Sequence, residues 1–126
     1  MKINFNKFNH SIIGIEMDDD ESDYLNLLTD GGYKFKFEAV GDCCSRSLIS
    51  KYNEDFSVLI GKVIKNIKEI NLPDNFEEEN DDKYGDYTTT HLYEIKFKYN
   101  EGSFIFQMKN YSNGYYDGYL ISSVGY

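Results

Sequence analysis

The chain has 126 residues, a length typical of one domain. Its formal net charge is −9, from 13 Lys and Arg against 22 Asp and Glu, which argues against direct binding to a nucleic-acid backbone because that needs clustered positive charge. No apolar run approaches the roughly 20 residues of a membrane span. Aromatic residues make up 17% of the chain and favour strands, where rings pack across pleated neighbours.

The first residues, MKINFNKFNHSIIGIEM, lack an uninterrupted apolar core and a small-residue cleavage site, so we expect no signal peptide. Cys43 and Cys44 are adjacent, which is unlike the spacing of a disulfide framework. Both features lead us to expect that the protein is located in a reducing cytoplasm.

Residues 2–17 predict one or two opening strands, because Ile13, Ile15 and Met17 alternate as they would in a half-buried strand. The acidic run DDDESD follows at 18–23 and predicts a solvated turn. Its spacing lacks the Gly and the closing Glu of an EF-hand loop, so we do not expect calcium there.

Residues 24–40 predict a hairpin. A three-residue loop at 30–32 pairs Leu27 with Phe35 and Leu25 with Phe37, which aligns the apolar residues. Such loops commonly end in a glycine with positive φ. We expect the Phe side of the second strand to face the core and its Lys and Glu side to face solvent.

The middle of the chain is less regular. Residues 46–50 predict a short strand, and residues 53–61 one or two helical turns, which Asn53 would cap and Gly61 would end. For residues 62–71 the spacing also fits a helix, but the β-branched content favours a strand.

Residues 73–86 carry seven acidic residues and one basic residue. Such a block repels itself and predicts a mobile surface loop within a single domain that spans residues 1–126.

Residues 91–124 predict a three-stranded antiparallel meander with turns at 100–103 and 112–115. Asn113-Gly114 is the strongest hairpin signal, because a type I′ turn needs positive φ at both central positions. Two-residue loops would place the following residues on one buried face: Tyr93, Ile95, Phe97, Tyr99, Phe104, Phe106, Met108, Tyr119 and Ile121. In the same register Asn110 and Asp117 are solvent-facing partners. The predicted fold is mainly β: one antiparallel sheet of five to seven strands, with one or two short helices.

Four motifs resemble a family of small uncharacterised proteins common in bacteriophage genomes. They are Asp30-Gly31, GDCCS at 41–45, Leu-Ile-Gly at 59–61 and SNGYY at 112–116, and they follow in order over about residues 24–124. A bulky aromatic residue that usually follows the Cys pair is Leu48 here. The family has no known function, so the resemblance implies a phage source and a β architecture without a reaction.

Three interpretations of the Cys pair stay open at this point. Zinc would need His10, His91 and acidic residues as further ligands, and adjacent strand residues point to opposite faces. A nucleophilic Cys would need His91 as its base, oriented by Asp42. In the third interpretation both cysteines are structural. We predict no metal, no cofactor and no catalytic residue.

The Asn113 tip is a second candidate, because exposed Tyr side chains suit binding surfaces. In the predicted register Tyr111 lies opposite Tyr116, away from the apolar face. The candidate binding residues are Asp42, Cys43, Cys44, Ser45, His91, Tyr111, Asn113, Tyr115 and Tyr116.

The functional expectation is a non-enzymatic accessory protein, encoded by a phage or prophage, that acts in the host cytoplasm. Its acidic surface would bind a basic host protein, such as a defence protein or a nuclease. The alternatives are a small-molecule binder or hydrolase that uses the 41–45 bend, and a structural virion component. Pairing of exposed sheet edges into a homo-oligomer stays open.

Overall fold

The computed structural model describes residues 3–42, 45–77, 87–112 and 117–126, and the described residues form two antiparallel sheets. The strands are β1 (Ile12–Glu16), β2 (Glu21–Ser22), β3 (Tyr24–Thr29), β4 (Lys34–Gly41), β5 (Arg46–Lys51), β6 (Val63–Ile70), β7 (Tyr87–Lys98), β8 (Ser103–Ser112) and β9 (Gly118–Gly125). The first sheet has the order β1-β3-β4-β9 and the second β2-β5-β8-β7-β6. The mainly β prediction is confirmed, but the predicted single sheet of five to seven strands is wrong, because the described residues form nine strands in two sheets.

Helical structure in the described residues is limited to two 3₁₀ turns, Phe5–Lys7 and Phe56–Leu59. The second lies inside the predicted helical segment, but the residue at its N-cap position is Asp55 and not the predicted Asn53. Gly61 follows it with a φ of 86°, a conformation that glycine adopts without strain. No helix in the described part of the chain is long and apolar enough to cross a membrane.

The β3–β4 hairpin forms in the predicted register. Leu25 pairs with Phe37 and Leu27 with Phe35, and Gly32 ends the loop with a φ of 81°. Phe35 and Phe37 are fully buried because their side of β4 faces the second sheet. The strand prediction for residues 62–71 is also confirmed, by β6.

The β7–β8 pair has the predicted faces but a different register. Ile95 lies opposite Phe104, the position predicted for Tyr99. This shift is an even number of residues, so the same side chains still face inward. Tyr99 is the exception. It follows the end of β7 with a φ of 65° and is 83% exposed, so its predicted core position is wrong.

The third strand of the predicted meander does not pair with β8. Instead β9 pairs with β4 in the other sheet, and β5 occupies the free side of β8. The alternation on β9 is therefore opposite to the prediction. Leu120 and Val124 pack against the core, while Tyr119 and Ile121 are exposed. The predicted turn at Asn113 lies outside the described residues.

Aromatic side chains join the two sheets. Phe106 lies at the centre, with ring centroids 5.4 Å from Tyr93, 6.1 Å from Phe56 and 6.5 Å from Phe37. Contacts between large buried rings contribute beyond their apolar area. The core therefore sits between the sheets, and the ends of the sandwich are left for polar residues.

The N-terminal segment crosses one side of the core. The Lys98 ammonium donates to Phe5 O, Phe8 O and Asn9 Oδ1, at 3.1, 3.2 and 2.7 Å. In β1, the bulge between Ile12 and Gly14 leaves Ile13 60% exposed, although its spacing predicted a place on the buried face of the strand.

The two acidic runs lie at the surface where they are described. Of the predicted solvated turn at 18–23, residues 18–20 form an exposed bend, but Glu21–Ser22 form β2 and Ser22 is buried. Of the predicted mobile loop, residues 73–77 are mostly exposed, and residues 78–86 lie outside the described residues.

Candidate functional site

Six polar residues meet at the end of the sandwich where β4 ends and β9 begins. We call this set the Asp117 cluster: Asp42, Ser45, Ser47, His91, Asn110 and Asp117. The Asp42 N–H donates to Asp117 O at 3.0 Å, and the Ser45 hydroxyl donates to Asp42 O at 2.8 Å. The first bond joins the end of β4 to the residue before β9, and the second holds Ser45 close to Asp42.

Asn110 is the buried centre of the cluster. Its Nδ2 donates to Ser45 Oγ at 3.1 Å and to Ser47 Oγ at 3.0 Å, while its Oδ1 is buried and has no hydrogen-bond partner among the described residues. The predicted solvent-facing pair with Asp117 is wrong, because β9 does not lie beside β8. The amide thus joins two serine side chains, while a buried acceptor without a partner carries a cost in stability.

His91 joins the cluster from the second sheet. Its Nε2 lies 3.1 Å from Asp117 Oδ1, and its Nδ1 lies 3.6 Å from Glu69 Oε2. Both ring nitrogens thus face carboxylates. This geometry orients the imidazole between two strands, but it leaves neither nitrogen directed at Ser45 as a general base.

Glu69 also contacts the buried Tyr93. Burial, with the nearby Glu69 carboxylate as a further cause, raises the pKa of Tyr93 above its ordinary value. The Tyr93 hydroxyl therefore keeps its proton to a higher pH than an exposed tyrosine does.

The structure brings together three of the predicted binding residues, Asp42, Ser45 and His91. It does not place Tyr111 with them: Tyr111 is buried on β8 between Arg46 and Thr88, so its predicted exposure is wrong, and its predicted partner Tyr116 lies outside the described residues. The remaining candidates, Cys43, Cys44, Asn113, Tyr115 and Tyr116, lie outside the described residues. The binding roles of all these residues stay predictions.

Sequence reasoning missed the role of Asn110 and Asp117, although one signal was present for the first. Asn110 continues the two-residue spacing of Phe104, Phe106 and Met108, which places it on the inward face. For Asp117 no local signal exists, because its contacts come from residues far away in the chain.

A second feature, which the sequence did not predict, is a groove beside the second 3₁₀ turn. It has a volume of about 420 Å³ and we call it the acidic groove. Its lining residues are Ile15, Met17, Asp19, Asp20, Lys51, Asp55, Phe56, Ser57 and Ile60. It forms because the exposed bend after β1 lies close to the turn that follows β5.

The acidic groove combines an apolar floor with an acidic rim. Ile15, Met17 and Ile60 supply exposed or partly exposed apolar surface, and three carboxylates face one ammonium group around them. In the described part of the chain, Asp19, Asp20 and Asp55 form no ion pair. Such a surface suits a ligand that carries both apolar and positively charged groups.

Neither site resembles a metal centre. In residues 3–42, 45–77, 87–112 and 117–126, no group of three His, Cys, Asp or Glu side chains is arranged to hold a metal ion. The zinc interpretation of the Cys pair depends on residues outside these ranges.

A family model described as a domain of unknown function, DUF7448, matches residues 6–122. The chain belongs to the DUF7448 family. No curated protein and no solved structure matches it. The DUF7448 match includes strands of both sheets, the Asp117 cluster and the acidic groove, so both candidate sites are part of the domain itself.

Proposed function

We propose that this DUF7448 protein is a non-enzymatic binding module that captures a basic protein through the acidic groove. The observation that carries the proposal is the groove rim: three carboxylates without ion pairs, in the described residues, around an apolar floor. A net charge of −9 adds long-range attraction for a basic partner.

The biological setting we propose is that of an accessory protein encoded by a phage or prophage, acting in the host cytoplasm. Its partner would be a host protein such as a defence protein or a nuclease, which the binding inhibits. This setting is supported by the resemblance of residues 24–124 to phage proteins. A nuclease suits the proposal chemically, because its nucleic-acid site presents the positive charge that the groove would attract.

The test is capture from host lysate on immobilised protein, at low and at high salt. The groove variant combines Asp19→Asn, Asp20→Asn and Asp55→Asn. The matched control also removes three exposed charges, at Glu38, Asp74 and Glu101, through the corresponding amide substitutions.

We expect a basic protein to be enriched at low salt by the wild type and by the control. The groove variant should bind it on the order of 10–100-fold more weakly, since rim charges govern encounter and selectivity. Equal capture by both triple variants, or no enrichment of a basic protein, would contradict the proposal.

A small-molecule binder or hydrolase that uses residues 41–45 is the second candidate, because the Asp42 N–H, the Ser45 hydroxyl and the His91 imidazole all contact Asp117. It predicts that Cys43→Ser, Cys44→Ser or His91→Ala abolishes the activity while the fold is retained. Hydrolysis of small ester substrates that is unchanged in all three variants would remove the hydrolase candidate.

A further inference from the structure

The two sheets end in four edge strands, and three of them carry features that discourage pairing with another strand. The edge strand β2 has two residues. In β1 a bulge interrupts the strand, and Ile12 already exchanges backbone hydrogen bonds with Gly61 and Lys62. In β6 a second bulge lies between Ile64 and Asn66, and Lys65 and Lys68 are exposed within the strand.

The fourth edge strand, β9, has none of these features. Its eight residues, GYLISSVG, contain no charged residue and no proline. Its pairing with β4 is continuous from Gly41↔Gly118 to Lys34↔Gly125, without a bulge. In the described part of the chain, β9 is therefore the long, regular and uncharged edge.

The phase of the hydrogen bonds shows which backbone groups of β9 point outward. The Asp42 N–H donates to Asp117 O, so Asp42 and Asp117 are a hydrogen-bonded pair. In an antiparallel ladder every second residue along a strand belongs to such a pair. Tyr119, Ile121 and Ser123 thus bond to β4, which leaves the N–H and C=O groups of residues 120, 122 and 124 directed away from the sheet. The Gly118 N–H, which donates to the Asp117 carboxylate at 2.7 Å, fits this phase.

Apolar side chains stay partly open on both faces of this edge. Tyr119 and Ile121 are exposed on the outer face, with Ile121 at 44%, and Leu120 and Val124 are incompletely buried on the inner face. A further strand would cover all four and would satisfy the outward backbone groups.

We propose that β9 pairs antiparallel with β9 of a second copy of this chain, so that two four-stranded sheets become one sheet of eight strands. A register centred on Ser122 joins the outward backbone groups of both copies. On the outer face it places Tyr119 opposite Gly125 and Ile121 opposite Ser123, so each large side chain meets a small one. The uncharged strand needs no complementary charge, which fits a second copy of itself.

The test measures the mass of the full chain by sedimentation equilibrium over a range of concentrations. The edge variant is Ile121→Lys, and the matched control is Ile13→Lys on β1, an exposed isoleucine at the other edge of the same sheet. Wild type and control should reach twice the 14.7 kDa chain mass, whereas Ile121→Lys should stay at one chain mass. Circular dichroism and the melting temperature verify that both variants are folded.

Hydrogen exchange identifies the surface that pairs. The amides of Leu120, Ser122 and Val124 should become protected as the protein concentration rises, and those of β1 should not. A monomer at all concentrations, equal masses for the two lysine variants, or no change at these three amides would overturn the proposal.

Salt separates this proposal from the proposed function. Two chains of charge −9 repel each other, so dimerisation should strengthen with salt, while capture of a basic partner should weaken. Either proposal can therefore fail without the other.

Discussion

Gly118, the first residue of β9, packs closely against the Asp117 cluster, so Gly118→Ala is a direct test of that packing. A methyl group there would overlap the Ser47 hydroxyl and would lie 2.8 Å from Val40 O and 2.9 Å from Asn110 Nδ2. Two of these neighbours are a backbone carbonyl and a fully buried side chain, which cannot move away cheaply. We expect the free energy of unfolding to fall by about 1–3 kcal/mol, as for other overpacked sites.

The assay is urea unfolding followed by circular dichroism, with thermal melting as a second measurement. A loss of this size should lower the melting temperature by roughly 3–12 °C in a domain of this length. The matched control is Gly125→Ala at the other end of β9, where the new methyl group would meet the flexible end of Lys36. That variant should stay within about 0.5 kcal/mol of the wild type.

A double variant tests the cause of the loss. Ser47→Ala alone should cost about 1 kcal/mol, because its hydroxyl accepts from Asn110 and donates to Val40 O. Combined with Gly118→Ala it should cost less than the two losses added, since the overlapping hydroxyl is gone. If the losses of the two single variants add in the double variant, or if Gly118→Ala is neutral, Gly118 does not pack against Ser47 as the structure shows.

Two further predictions concern the core and its pH dependence. Phe106→Ala should lower the free energy of unfolding by about 3–5 kcal/mol, while Tyr99→Ala should change it by less than about 0.5 kcal/mol. A large loss for Tyr99→Ala in urea unfolding would instead favour the β7–β8 register that the sequence predicted. Burial and Glu69 raise the pKa of Tyr93, so above about pH 10 the unfolded state releases a proton that the native state keeps. Stability should therefore be constant with respect to this group below about pH 10 and fall above it. Tyr93→Phe should reduce that fall in stability, and Tyr99→Phe should not. Melting temperatures of the wild type and both variants between pH 8 and 11.5 test this prediction.

Local patterns predicted those parts of the fold that depend on neighbouring residues in the chain. The β3–β4 hairpin was predictable because one loop length aligns Leu27 with Phe35, and the other does not. For β7 and β8 the alternation gave the faces but not the register, because a shift by an even number of residues keeps every face unchanged. β7 ends at Lys98, which pairs with Val63, the first residue of β6. That end is therefore set by a pairing between residues far apart in the chain.

The partner of β9 was not predictable in the same way. Its two faces are almost equally apolar, with Tyr119 and Ile121 on one and Leu120 and Val124 on the other. The Asn113-Gly114 signal favoured a local hairpin, whereas β5 competes for the same side of β8. A local turn preference is worth less than burying a whole strand, so the long-range pairing determines the second sheet.

The acidic groove shows why the function was harder to predict than the fold. Its residues come from three separate segments: the end of β1 with its acidic bend, Lys51, and the second 3₁₀ turn. Each segment alone has an ordinary interpretation, since an acidic run is usually a solvated turn and Phe56 is a core residue. The groove arises when the sheets place carboxylates beside Met17 and Ile60, and sequence spacing carries no information about that approach. Measured capture by the groove variant is therefore a stronger test of function than any motif in the chain.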